Sequence, residues 1–206
     1  MRRICIGLAL ALVAAPAGTQ TRRQRDWCFS LTATDDQRIE GCTALIGSGR
    51  GTTAAQAAAH DKRGEAHADQ GLLDQEIADE TQSLALNPHS PNTHFRRALA
   101  YTVEGLYDQA IADYTGLIAL TPDEEIAYNN RGNLYAQKGL YDLAIADLTR
   151  AVALKPDAFI TYDNRGHAYE AMGLRGQAVA DYRAALKLYP NWRSAREGLT
   201  RLSATP

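Results

Sequence analysis

The chain has 206 residues, 45% of them apolar, with 22 basic against 24 acidic residues and a formal charge of −2. That length fits one extended domain plus an N-terminal appendage, and the apolar share excludes disorder over most of the chain. The near-balanced charge excludes the footprint of a nucleic-acid binder, since cations cluster only at Arg22, Arg23 and Arg25.

Arg2 and Arg3 precede an apolar stretch from Ile4 to Val13, followed by the small-x-small sequence Ala15, Pro16, Ala17. The stretch falls short of the roughly 20 apolar residues a spanning helix needs. Its order is that of a secretory signal peptide over residues 1–17. The reading predicts an exported protein, periplasmic or secreted, that starts near Gly18 and keeps no stable membrane anchor. An uncleaved anchor or a plain hydrophobic N-terminus is the alternative. Removing Arg2 and Arg3 leaves 20 basic against 24 acidic residues, a net of −4, and removing Cys5 leaves two cysteines. An even count in an exported chain favours a disulfide between Cys28 and Cys42. A loop of about 15 residues closed this way is worth roughly 3 kcal/mol in the chain-entropy model. Two unrelated buried thiols are the alternative.

Residues 18–52 read as a linker and a cap. Gly18 to Arg25 is basic and polar, and Trp27, Cys28 and Phe29 form an apolar knot. A helix is predicted from Asp35 or Asp36, with Ile39, Cys42, Leu45 and Ile46 on one face and a stop at Gly47, Ser48 and Gly49. Four segments of 34 residues follow without insertion, at 57–90, 91–124, 125–158 and 159–192. Counted within each segment, position 15 is Gly71, Gly105, Gly139 or Gly173, position 23 is an aspartate, and Pro88, Pro122, Pro156 and Pro190 recur at position 32. A fixed period of this size means stacked supersecondary units that share one core. Each reads as two helices joined at the glycine, for example Glu125 to Lys138 and Tyr141 to Leu154. Residues 193–206 carry Ala195, Leu199 and Leu202 at helical spacing after Trp192 and read as a capping helix.

These residues resemble the tetratricopeptide repeat family. Its pattern asks for an aromatic at position 4, a small residue at 8, Tyr at 11, Ala at 20, an aromatic at 24, Ala at 27 and Pro at 32. The third segment offers Tyr128, Gly132, Tyr135, Ala144, Leu148, Ala151 and Pro156, and the fourth matches with Tyr162, Gly166, Tyr169, Ala178, Tyr182, Ala185 and Pro190. The first departs most, with His60, His67, Glu76, Glu80 and Ser83. Glu76 and Glu80 predict a degenerate repeat whose second helix is partly exposed or met by the cap. The resemblance implies an all-α, right-handed α-α superhelix of four helix pairs, and no cofactor.

No catalytic pattern emerges. His60 and His67 lie seven residues apart, about 10 Å along one helix, too far to share a metal. Arginine at position 7 and aspartate at position 23 recur in all four repeats and predict an ion pair between the two helices of each unit. The family's concave groove lies at positions 2, 5, 6, 9 and 12 of the first helix. There Arg96, Asn129, Asn130, Asn133, Asn164 and His167 are the candidate contacts. Their amides suit the backbone of an extended peptide, and a solvated polar face is the alternative. Position 5 offers Asp61, Phe95, Asn129 and Asp163 rather than lysine, so the family's clamp for a terminal carboxylate is not expected. The expected function is non-enzymatic binding of a protein or peptide partner, with self-association in an envelope complex as the alternative.

Overall fold

The computed structural model describes residues 26–203. The signal-peptide reading of residues 1–17, the linker at 18–25 and the last three residues, 204–206, lie outside the described residues. Helix α1 spans Asp35–Gly47 and opens on a capping box, in which the Gln37 amide donates to Thr34 Oγ1 (3.3 Å) and the Thr34 amide to Gln37 Oε1 (3.1 Å). Four helix pairs follow: α2 (Thr53–Asp69) with α3 (Leu73–Leu86), α4 (Pro91–Val103) with α5 (Tyr107–Leu120), α6 (Glu125–Gln137) with α7 (Tyr141–Leu154), and α8 (Phe159–Ala171) with α9 (Arg175–Leu188). Helix α10 (Arg193–Arg201) closes the array, and there is no strand among the described residues. Helix α7 has its predicted bounds. Helix α6 stops one residue before the predicted Lys138, which caps it. Helix α2 starts ahead of position 1 of its repeat because Thr52 Oγ1 accepts the Ala55 amide at 3.2 Å.

The turn inside each pair has one geometry. Gly71, Gly105, Gly139 and Gly173 sit at φ between 72° and 74°, a left-handed conformation that side chains resist. The next amide reaches back to the carbonyl at position 11, as from Leu140 to Tyr135 at 2.8 Å. That closes the first helix and turns the chain into the second. Each first helix packs on its own second helix, and each second helix packs on the first helix of the next repeat. The pairs therefore stack in chain order as a right-handed α-α superhelix. Helix α1 packs on α2, and α10 packs on α9 and α8.

Small residues let the helices of a pair approach. Ala110, Ala144 and Ala178 are fully buried at position 20, and Tyr114, Leu148 and Tyr182 fill the core at position 24. A Cβ on Gly132 would meet Leu148 Cγ at 2.8 Å and the Ala144 carbonyl at 3.2 Å, so position 8 must stay small. The predicted ion pairs are present and bidentate: Arg63 with Asp79, Arg97 with Asp113, Arg131 with Asp147 and Arg165 with Asp181, all at 2.6 to 2.9 Å. The remaining guanidinium nitrogen reaches backwards. It donates to Thr81, Thr115 or Thr149 of the preceding second helix, and in repeat 1 to Thr43 of α1 (2.9 to 3.2 Å). One arginine therefore ties a pair together and stacks it on its neighbour.

Repeat 1 corrects an expectation. Glu76 and Glu80 are 5% and 0% exposed, so these two side chains lie in the core and not on the exposed face of the helix, and the cap packs on α2 rather than over them. The reason lies one repeat further on. Arg96 of α4 donates from Nε to Glu80 Oε1 at 2.6 Å and from its terminal nitrogen to Asp61. A buried carboxylate is tolerated where a guanidinium reaches it.

Candidate functional site

The concave face is built from the first helices of the pairs, whose side chains meet across successive repeats. Thr93 donates to Asp61 Oδ1 at 2.6 Å, Thr161 to Glu125 Oε1 at 3.0 Å, and Asn164 Nδ2 to Asn129 Oδ1 at 3.0 Å. Asn129 in turn donates to Asn130 at 3.2 Å, and Asn130 to the buried Tyr114 hydroxyl at 3.1 Å. Three of the predicted contacts thus form one amide chain across repeats 3 and 4. Asn133 stands exposed beside them, with no hydrogen bond to another described residue.

Two further candidates are engaged within the protein. Arg96 is half-buried between Asp61 and Glu80. His167 sits in a relay in which Nε2 hydrogen-bonds the Ser194 hydroxyl (2.9 Å), Nδ1–H donates to the Tyr182 oxygen (3.0 Å), and the Tyr182 hydroxyl donates to Glu170 (2.5 Å). Arg201 of α10 closes the relay with two contacts of 2.9 Å to Glu170. Lys62 pairs with Glu65 at 2.5 Å. Lys62, Arg96 and Arg201 of this face therefore all have internal carboxylate partners.

These pairings set the proton affinities. Burial is the largest effect on Glu80 and pushes its carboxyl up to about 8, against the pull of Arg96. Burial also raises Glu76. Burial opposes ionisation of Asp79 and Asp113, but hydrogen bonds from Arg63 and His60, and from Arg97 and His94, hold both carboxyls below the ordinary range. The hydrogen bond to Asp113 raises His94, and that from Arg201 lowers Glu170. Tyr182 is raised by burial and by Glu170.

Residue spacing held the signal for the Glu80 site. Glu80 is the one acid at position 24, and Arg96, sixteen residues on, is the one arginine at position 6. The Tyr182, Glu170 and Arg201 relay carried no such signal, because it exists only once α10 stacks on α8 and α9. Cys28 and Cys42 are joined in a disulfide, both fully buried and packed with Ala59 of α2, which fastens the cap to repeat 1. His60 and His67 both turn to Asp79, at 2.9 and 3.2 Å.

A solenoid of four glycine-hinged helix pairs, each locked by an arginine and an aspartate, is a helical-repeat scaffold. Family models described as TPR repeat and tetratricopeptide repeat match residues 99–139, 132–173 and 160–191. The first such domain of human RPAP3 is 30% identical, with 57% of this chain and 92% of that one covered and a TM-score of 0.54. The chain belongs to the tetratricopeptide repeat family. The first TPR of Spaghetti (RPAP3) has also been solved bound to the HSP90 peptide SRMEEVD, at 29% identity over 55% of this chain and 90% of that one, with a TM-score of 0.54. A crystal structure of MamA shares the fold at 24% identity over 76% of this chain and 89% of that one, with a TM-score of 0.70. So does YrrB, described as a TPR protein with an unusual peptide-binding site, at 13% identity over 81% and 84%, with a TM-score of 0.74. Among curated proteins none matches the sequence.

Proposed function

We propose that this protein is a non-enzymatic interaction scaffold that holds an extended peptide of a partner protein on its concave face. The observation that carries the reading is the amide surface of Asn129, Asn130, Asn133 and Asn164, on the face formed by successive first helices. Asn133 retains its full donor and acceptor capacity, and an exposed amide can give one hydrogen bond to a peptide carbonyl and take one from a peptide N–H. The peptide complex of the 29% identical first TPR of Spaghetti (RPAP3) supports the same use of the fold. The chemistry recognised here differs from a carboxylate clamp, since Lys62, Arg96 and Arg201 are held in internal ion pairs. Export to an oxidising compartment belongs to the same proposal and accords with the Cys28 to Cys42 disulfide.

The test is affinity capture with the wild-type chain and with a double variant, Asn133→Ala and Asn164→Ala, from the compartment where the protein resides. A partner retained by the wild type and lost by a folded double variant is the expected result. Equal retention by both rejects the groove. Light scattering over a dilution series addresses the rival of self-association, which predicts a mass that rises with concentration.

A further inference from the structure

At two of the repeat joints the residue at position 5 of one first helix takes a hydrogen bond from position 6 of the next. In repeat 1 the Arg96 guanidinium donates to Asp61, and Thr93, from position 3 of repeat 2, adds its hydroxyl at 2.6 Å. In repeat 3 the Asn164 amide donates to Asn129 at 3.0 Å. Repeat 2 places Phe95 at position 5, which needs no polar partner and packs edge-on against Tyr114. Repeat 4 again carries a carboxylate there, Asp163, and the unit that follows it is α10. In the same register, positions 3 and 6 of α10 are Ala195 and Gly198, so neither the hydroxyl nor the guanidinium that serves Asp61 is present. Position 6 has no room for one, because a Cβ on Gly198 would run into the Tyr182 ring.

Asp163 is thereby left without a donor. It is 4% exposed, yet its Oδ1 accepts no hydrogen bond from any described residue, and its Oδ2 lies 3.7 Å from His167 Nε2, beyond hydrogen-bond range. His167 is engaged elsewhere, by Ser194 at 2.9 Å and by Tyr182 at 3.0 Å. A carboxylate buried in this way is destabilising until a cation reaches it. Resting on the groove reading above, we infer that Asp163 is a socket for an arginine side chain of the partner peptide, whose guanidinium takes the place that Arg96 fills at Asp61. The socket adjoins the amide chain, since Asn164 follows Asp163 in sequence and bonds Asn129. The approach is from the groove, past His167, which stands one helical turn further along the same face with its side chain 43% exposed.

The internal pair at Asp61 argues the class of cation. A guanidinium is planar, more weakly hydrated than an ammonium, and able to donate to both oxygens of one carboxylate, so it suits a nearly buried acid better than lysine does. The same comparison separates a binding role from a structural one. Asp61 is paired within the chain, so Asp61→Asn should lower the thermal midpoint. Asp163 has no such partner, so Asp163→Asn should leave the midpoint unchanged or raise it. A fall as large as that of Asp61→Asn would make Asp163 a structural residue and overturn the inference.

The binding test measures fluorescence anisotropy of labelled synthetic peptide pools with the full chain. In each pool the central residue is fixed as arginine, lysine or citrulline, and the flanks are equimolar mixtures of uncharged residues. Citrulline keeps the shape of arginine and removes its charge. The arginine pool should bind more tightly than the lysine pool and at least about tenfold more tightly than the citrulline pool, the scale of a hydrogen bond gaining a charge. Asp163→Asn should erase both preferences. Equal or tighter binding of either control pool, a preference for arginine that survives Asp163→Asn, or no binding of any pool overturns the socket. The groove reading is judged separately on the native partner: retention by Asp163→Asn at wild-type strength, with loss in the double asparagine variant, upholds the groove and overturns the socket.

Discussion

At positions 4, 11, 20, 24 and 27, repeat 3 carries Tyr128, Tyr135, Ala144, Leu148 and Ala151, whereas repeat 1 carries His60, His67, Glu76, Glu80 and Ser83. Both adopt the same pair of helices around the same arginine and aspartate. In repeat 3 the Arg131 guanidinium lies 5.9 and 5.8 Å from the Tyr128 and Tyr135 ring centres, and Leu148 seals the core. In repeat 1 two imidazoles turn to Asp79, and a carboxylate sits where the seal should be. A polar filling can hold this fold where arginines of its own and the next repeat reach the buried carboxyls, as Arg63 reaches Asp79 and Arg96 reaches Glu80. It also makes the N-terminal half sensitive to pH, because burial raises the carboxyls of Glu76 and Glu80.

The largest test exports that filling without its partner. Leu148→Glu places a carboxylate in repeat 3, where position 6 of the next repeat is Asn164 rather than an arginine. The loss of the leucine and the burial of an unpaired charge should cost at least about 4 kcal/mol in urea unfolding. A cost near 1 kcal/mol would mean that repeat 3 accepts charge as repeat 1 does, and the contrast would fail.

Next in size is the disulfide. The cap covers the repeat with the least apolar filling, so reducing Cys28 and Cys42 should cost about 3 kcal/mol by the loop-closure argument. Hydrogen exchange should localise the effect, with protection lost in α1 to α3 and kept in α6 to α9. Uniform loss of protection would show that the stack unfolds as one unit and that the cap has no private tenant.

The pH contrast comes third. The folded Glu80 carboxyl, at about 8, lies above its ordinary value of 4.5. Its contribution to stability is therefore fully present below about 4.5 and is lost as the pH rises through about 8. The slope from one such group is at most about 1.4 kcal/mol per pH unit. His94, also raised, acts in the same direction, so some slope should survive in the variant. Glu80→Gln keeps an acceptor for Arg96 and removes the titration, so unfolding curves between pH 5 and 9 should flatten. Parallel profiles for the two proteins would place the titration elsewhere.

Much of this architecture was legible in the sequence because the period repeats its own evidence. Four glycines at position 15 and four prolines at position 32 fix the helix pairs, and the bounds of α7 follow from them. The groove positions followed from the family pattern, and Asn129, Asn130 and Asn164 do meet there. What failed was the sign of burial at Glu76 and Glu80, where charge suggested surface and register suggested core. Register won because Arg96 supplies the counter-charge to Glu80 from the next repeat.

The smallest test asks whether the cap acts as a preceding repeat. In repeats 2 to 4 the arginine at position 7 bonds a threonine at position 25 of the unit before, as Arg131 bonds Thr115 at 2.9 Å. One register earlier, position 25 falls on Gly47, at the end of α1, which offers no hydroxyl. Arg63 takes Thr43 instead, four residues or about one helical turn back, at 2.9 Å. If the cap imitates a second helix through this contact, Thr43→Ala and Thr115→Ala should each cost about 1.5 kcal/mol, the lower end for a hydrogen bond to a charged group. Equal losses in urea unfolding would make α1 a functional stand-in that differs from a repeat only in its offset. A loss at Thr115 with none at Thr43 would leave the packing of α1 and of the buried disulfide on α2 as the cap's main attachment to the stack.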